Sequence, residues 1–541
     1  MIGIFRKYPI PSILVLGVIM MIPGFSFLDV SIMEARNLIT AREMLFDDHW
    51  LLTTMNGEPR YQKPPLPTWL TAISMSVFGV SKIIWLRLPG ILMVGFIGVF
   101  SHKLSKTLGM GTVQSITNAM IAITSFYIIA IVIEGPWDIF AHGFMCFGIY
   151  FLFLAFNNPG FDLKKVLLSA LFIGASILSK GPISLYALFI PFLIAYGLSF
   201  KYERGNKSFG KILIALFIGV LIGGWWYLYV RLNDPMSFQQ MASKETSNWS
   251  SYNVRPFYYY WSFFTQSGIW TVPAFMALLY PYMKSRVKDL KAYRFTLLWS
   301  IIAVILLSVI PEKKSRYLMP VLIPMALNTG FYIQFIRESL FEFRKKWEVL
   351  PVYLYWGLLG LIGILFSLAA YFIFGDIPDI SWWYPGIVSI VLFVLGLMIM
   401  QSLLKKKTEG LVNLGIVFAL ATVILIAPLA RFLEDGNYKP ISNLNQELSD
   451  KGMTLYQIED VSPELIWQYG QSIPRLKSED HMSWPGESSF YVLYGSKDLS
   501  GITTSGFNAE YIRSYDLNRT EKGNGTYRDR LKTHLFKFSL K

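Results

Sequence analysis

One cysteine, Cys146, in 541 residues leaves no partner for an intramolecular disulfide and nothing from which to build a cysteine metal cluster. Histidine is almost as scarce. The five are scattered, so a histidine-rich metal site is not expected. Charge is scarce too, with Asp, Glu, Lys and Arg at 16%, where soluble domains carry about 25%. That deficit, beside 53% hydrophobic residues and a mean hydropathy of +0.44, excludes soluble globular, fibrous and disordered classes. Also missing are a Walker loop, HExxH, GxSxG, a dinucleotide fingerprint, heptads and low-complexity tracts. What the chain does have is long apolar runs.

A bilayer core of about 30 Å takes roughly 20 apolar residues per helical crossing. On that rule about 13 spans are expected, near 9–28, 84–102, 112–133, 138–157, 165–179, 183–199, 211–230, 267–283, 295–310, 317–335, 350–374, 384–404 and 411–430. The first follows Arg6 and Lys7 without a small-residue cleavage site, and reads as a retained helix. The 49 Lys and Arg against 35 Asp and Glu give a net charge of +14, which in a membrane protein points to inner loops and anionic lipid or phosphate rather than nucleic acid. With the N-terminus inside, every inner loop is basic: Lys103/Lys106, Lys164/Lys165, Lys201/Arg204/Lys207, Lys284–Arg294, Arg337–Lys346 and Lys405–Lys407. Two outer turns, Glu134–Asp138 and Gly375–Trp383, carry only acids. The expected organisation is a transmembrane domain over 1–431 and a small mixed α/β domain over 432–541, outside the membrane on the periplasmic face.

Two outer loops, 29–82 and 231–266, are too long for simple connectors, and such loops are where sites tend to be built. In the first, Leu38, Ala41 and Leu45 oppose Arg36, Thr40, Glu43 and Asp47, an amphipathic pattern that suits a helix on the membrane surface. Ser31-x-x-Glu34 is a capping box, so Glu34 has a structural reading beside a catalytic one. Asn56-Gly57-Glu58-Pro59 is a turn, and prolines hold Lys63 extended before the apolar run Trp69–Phe78. Arg36 also reads as a solvated residue, and Lys63 as a snorkelling anchor. The second loop holds Arg255-Pro-Phe-Tyr258-Tyr-Tyr260. Aromatics belong at an interface, whereas a fixed guanidinium among them suits a phosphate. A third outer turn, Lys313-Lys314-Ser-Arg316-Tyr317, puts positive charge on the disfavoured side. Asp138 and Lys180 lie near the same face, where a polar turn would also account for them. Carboxylates with fixed cations suit a transfer in which an acceptor loses a proton and a phosphate leaves.

The ordered set Glu34-Ala-Arg36, Ala41-Arg42-Glu43-Met44-Leu45, Asn56-Gly57-Glu58-Pro59, Lys63-Pro64-Pro65 and Leu86-Arg87-Leu88-Pro89 resembles aminoarabinose transferase and its dolichyl-phosphate-mannose protein mannosyltransferase relatives. Lys180-Gly181-Pro182, Trp225-Trp226-Tyr227, Arg255–Tyr260 and Lys314–Pro320 recur in the expected order, so the resemblance covers about residues 1–330. It implies a GT-C fold in a bacterial inner membrane. It also implies inverting sugar transfer from a polyprenyl-phosphate donor to lipid A, another envelope glycan or a protein, at the periplasmic face. Carried over, an acid of the first loop acts at the acceptor. Lys63, Arg255, Tyr258, Lys314, Arg316 and Tyr317 are candidates for the donor phosphate; Arg36, Asn37, Gln62, Asp138 and Lys180 line the cavity. Three positions depart from the pattern: Met33 replaces the Asp of an Asp-Glu pair, Asn37 a Tyr, and Gln62 the acid before the lysine-proline. Glu34 is then the candidate acid, with Asp29 as substitute, and no metal is expected where that second acid is lost. No cofactor is expected. A secondary transporter is the rival from another class, but it requires ionisable groups near the bilayer midplane, and here the spans are largely free of charge. A catalytically silent scaffold that presents the tail domain is the third reading.

Overall fold

A computed structural model describes residues 2–158, 160–202, 206–339, 346–375, 377, 381–432, 438–478, 481–499, 502 and 506–541. Arg204, Arg344 and Lys345 of the expected basic loops, and part of the turn after Gly375, lie outside these residues. The protein is a polytopic α-helical membrane protein. Among the described residues, eight helices are long and apolar enough to cross a bilayer, from Ile83–Thr107 to Thr408–Phe432. A ninth span counts if Thr112–Ile123 and Phe126–Glu134, bent by 41°, are taken as one. The other four expected crossings are helical but do not qualify. Pro9–Phe25 and Leu185–Ser199 are short. Leu163–Lys180 carries lysines at both ends, and the segment at 267–283 breaks at Gly268 (φ 69°) and again before Tyr280.

Close backbone approach fastens neighbouring spans. Leu350–Phe374 meets Trp383–Leu404 through Gly360, Gly363 and Gly396, and a Cβ added to Gly396 would lie 2.6 Å from the Gly360 carbonyl oxygen. Small residues let bare backbones pack where lipid offers no hydrophobic drive.

The first long loop opens with the helix Ile32–Phe46, whose entry Ser31 caps by accepting from the Glu34 amide at 3.2 Å. The expected surface helix is instead covered on both sides. Leu38, Ala41 and Met44 pack on Ala72, Met75 and Leu86, while Ile39 joins the core of the C-terminal domain. Its polar face finds a protein partner, the helix Pro463–Tyr469, with Arg42 over the Trp467 ring at 5.8 Å. Asn56 (φ 60°) and Gly57 (φ 77°) form the two-residue loop of a small hairpin, Thr54–Met55 against Glu58–Pro59. Glu43 holds this turn by accepting from Thr54 Oγ1, the Asn56 amide and the Gly57 amide.

The tail is a small mixed α/β domain. Its four-stranded sheet runs in the order Leu455–Gln457, Ser489–Tyr494, Lys532–Leu540, Phe507–Asp516, with only the first pair parallel. It docks on the first loop. Asn56 both donates to and accepts from the Ile473 backbone (2.9 and 2.7 Å), and Arg519 grips Asp29 with two nitrogens (2.6 and 2.8 Å).

Candidate active site

The site is assembled from three loop segments at one face and the ends of the helices beneath them. The second long loop and the turn at 311–317 zip together. Arg255 N donates to the Pro311 carbonyl (3.1 Å), Lys313 N to the Asn253 carbonyl (3.1 Å), and the buried Lys313 ammonium to the carbonyls of Arg255 and Ile310. Burial holds that ammonium below the usual lysine range. Tyr260 completes the joint, its hydroxyl donating to the Lys314 carbonyl and accepting from the Lys314 amide. Lys314 pairs with Glu312 at 2.6 Å and lies 4.7 Å from the Tyr252 ring centroid. Tyr317 also donates to Glu312, at 3.0 Å.

Beneath this joint, cations gather around few acids. Lys63 lies close enough to Lys180, Glu245, Asp138 and Arg60 to be influenced by each. Burial first, and then the neighbouring Lys180, push its ammonium down to about 8. Arg60 is pushed down to about 9 by burial and by Arg36, against Glu43 and Glu245. Its guanidinium stacks 4.9 Å over the Trp137 ring. Arg36, lowered mainly by burial, faces Glu464 of the tail domain, Tyr252 and Arg316. Lys180 forms a short ion pair with the buried Asp138 and sits 5.5 Å over Tyr317. His142 Nε2 stands 3.8 Å from the same carboxylate. Arg316 donates Nη1 to the Glu134 carbonyl at 3.2 Å, leaving its buried Nε without a partner among the described residues. The side-chain oxygen of Gln62 is likewise buried and unpartnered. Such like-charge crowding is costly by itself and becomes favourable when an anion binds.

The structure therefore brings Lys63, Lys180, Asp138, Arg36 and Arg316 together, with Lys314 and Tyr317 alongside. Arg255 and Tyr258 stand exposed at its outer edge. Three other sequence candidates are spent elsewhere. Glu34 is buried in a fork with Arg87, which donates Nε at 2.6 Å and Nη2 at 2.8 Å and turns its third nitrogen to the Phe25 carbonyl. Asn37 accepts from Thr68 and donates to Thr71, clipping the loop helix to Leu66–Phe78. Asp29 is held by Arg519.

Sequence reasoning did not select Arg60, Glu245 or Tyr252. Arg60 stands beside the singled-out Lys63, so its position was a signal. Glu245 had none, because the helix Pro235–Ser251 reads as an ordinary polar helix until the fold turns it toward Lys63 and Arg60. That helix is anchored by Asp234, which accepts from the Tyr61 hydroxyl at 2.9 Å and caps Ser237. Among the described residues one group, Glu43, Asp47 and His49, has metal-like proximity. Glu43 already accepts three hydrogen bonds there and His49 Nδ1 shares one with Thr54, so the donor set fits a structural turn better than an ion.

Comparison with known proteins agrees with this architecture. Residues 62–227 match the family model described as dolichyl-phosphate-mannose-protein mannosyltransferase. An uncharacterised protein of Aquifex aeolicus is 27% identical over 402 residues, 71% of this chain and 72% of its own. The undecaprenyl phosphate-alpha-4-amino-4-deoxy-L-arabinose arabinosyl transferase 1 of Proteus mirabilis is 21% identical, over 62% of this chain and 61% of its own length. The crystal structure of ArnT from Cupriavidus metallidurans bound to undecaprenyl phosphate superposes with a TM-score of 0.67, covering 98% of both chains at 13% identity. The chain is similar to the aminoarabinose transferases and shares the GT-C fold of the ArnT structure.

Proposed function

We propose that this protein is a membrane glycosyltransferase that moves a sugar from a polyprenyl-phosphate donor to an envelope acceptor: lipid A, another glycan or a protein. The observation that carries the reading is the crowding of Arg36, Arg60, Lys63, Lys180 and Arg316, with Asp138, Glu245, Glu43 and Glu464 as the acids near them. An acceptor oxygen attacks the anomeric carbon, and the bond from that carbon to the phosphate oxygen breaks. The electron pair leaves with the phosphate, and the cations stabilise the charge that develops there. The acceptor proton passes to a carboxylate. Glu34 suits this poorly, since both its oxygens accept from Arg87. Asp138 is tied to Lys180. Glu245 faces the cations and is the proton acceptor in this reading. The site faces the periplasm, on the side opposite the basic loops at Lys103/Lys106 and Lys405–Lys407. Mass spectrometry of envelope lipids and glycoproteins from cells with and without the gene tests the proposal. A sugar-sized mass lost with the gene is expected, and indistinguishable profiles would sink it.

A further inference from the structure

The helix that begins beside Arg316 ends beside Arg337, about 30 Å away at 1.5 Å per residue, at the opposite face of the membrane domain. A cavity of about 460 Å³ opens there, between the first helices of the chain, Thr112–Ile123, the end of Met319–Ser339 and Thr408–Ala421. Its volume is that of a ligand pocket rather than a packing defect. Leu16, Met120 and Leu420 are among the apolar side chains that make up most of its wall. Its polar groups are few: Arg6, Thr117, Arg337, Glu409 and Asn413.

Arg337 is the unusual member. Its Nη2 donates to Thr117 Oγ1 at 3.3 Å, whereas Nε and Nη1 are buried and have no hydrogen-bond partner among the described residues. A half-buried guanidinium with two buried, unpartnered nitrogens is expensive unless a ligand accepts from it. Glu409 and Arg6 lie near enough to act on its charge, as does Glu338, which is itself paired with Lys288 at 2.7 Å. Two cations and one acid leave the pocket with one unbalanced positive charge, which one phosphodiester would neutralise. The planar fork of arginine also suits two phosphate oxygens.

We infer that this cavity binds a membrane phospholipid with an anionic headgroup, its phosphodiester on Arg337 and Arg6 and part of an acyl chain against the apolar wall. A free phosphate would satisfy the arginines but leave the apolar wall without a purpose. A lipid uses both, and basic pockets between membrane helices are where anionic headgroups settle. The inference does not depend on the sugar-transfer reading, because the two sites lie at opposite ends of the helices.

The test uses the full chain in detergent after exchange of co-purified lipid. Thermal unfolding is followed while phosphatidylglycerol, phosphatidylcholine or inorganic phosphate is added. Phosphatidylglycerol is expected to raise the unfolding temperature by mass action, and the other two to leave it in place. Arg337→Gln should weaken the phosphatidylglycerol response by about tenfold in apparent affinity, the worth of one charge-assisted contact. Arg6→Gln, at an exposed side chain, repeats the test without disturbing the helix end and should weaken the response in the same direction. Equal stabilisation by phosphatidylcholine or by inorganic phosphate, no response to phosphatidylglycerol, or an unchanged response in both variants would overturn the assignment.

Discussion

At the scale of single residues, two glutamates that look alike in sequence differ in their surroundings. Glu34 is an anchor: with its side chain 5% exposed against Arg87 at 1%, it lies in a buried ion pair. Removing one partner of such a pair typically costs about 3–5 kcal/mol. Glu34→Gln is therefore expected to lower the unfolding temperature markedly. Glu245→Gln should leave that temperature almost unchanged and cut transfer about 100- to 10,000-fold, the usual loss when a general base is removed. Parallel melting curves and transfer rates decide this, and a stable, inactive Glu34→Gln protein would reverse the two roles. Lys63 supplies a pH signature. Its ammonium is held near 8, below the ordinary value of 10.5, so it loses its proton as pH rises through about 8 in the free protein. Between about 8 and 10.5 the unfolded chain binds more protons than the folded one, so this group makes the protein more stable as pH rises there. Phosphate binding runs the other way and should weaken over the same rise. Lys63→Arg should remove that step from a titration of lipid-phosphate binding, and persistence of the step would assign it to another group.

At the scale of elements, apolar run length and turn chemistry made most of the fold legible in advance, and the Asn56-Gly57 turn forms where it was expected. The Ile32–Phe46 helix was misread because an amphipathic pattern does not say what covers its polar side, and a domain more than 400 residues later does. Asn56 bridges that contact through two hydrogen bonds to the Ile473 backbone. Asn56→Ala deletes both bonds to Ile473 and leaves a backbone pair unsatisfied, at a cost of about 1–3 kcal/mol. Faster hydrogen exchange across 463–473, with unchanged exchange in the spans, is the expected readout; uniform exchange across the chain would argue against local docking. Where Leu350–Phe374 crosses Trp383–Leu404, Gly396→Val should separate the two helices, because a side chain there meets the Gly360 carbonyl oxygen. A variant that melts like the parent would contradict so close a crossing.

At the scale of the whole molecule, the candidate site was only partly readable, for a physical reason. In the sequence, Lys180, Asp138 and Arg316 stand out as charges at span ends or on the expected outer face, and Lys63 as a proline-held cation that the family resemblance puts at the donor phosphate. Their convergence with Arg60 and Glu245 comes from helix packing between segments far apart in the chain, and no local pattern encodes it. Arg87 and Arg519, which occupy Glu34 and Asp29, were hidden for the same reason. The central claim is that these converging cations receive a polyprenyl phosphate. The most direct measurement is the affinity of the purified full chain for undecaprenyl phosphate in lipid nanodiscs, compared among the parent, Lys63→Met and Arg316→Gln. Each variant is expected to bind about tenfold or more weakly while keeping its unfolding temperature. Parental affinity in both variants would contradict the account.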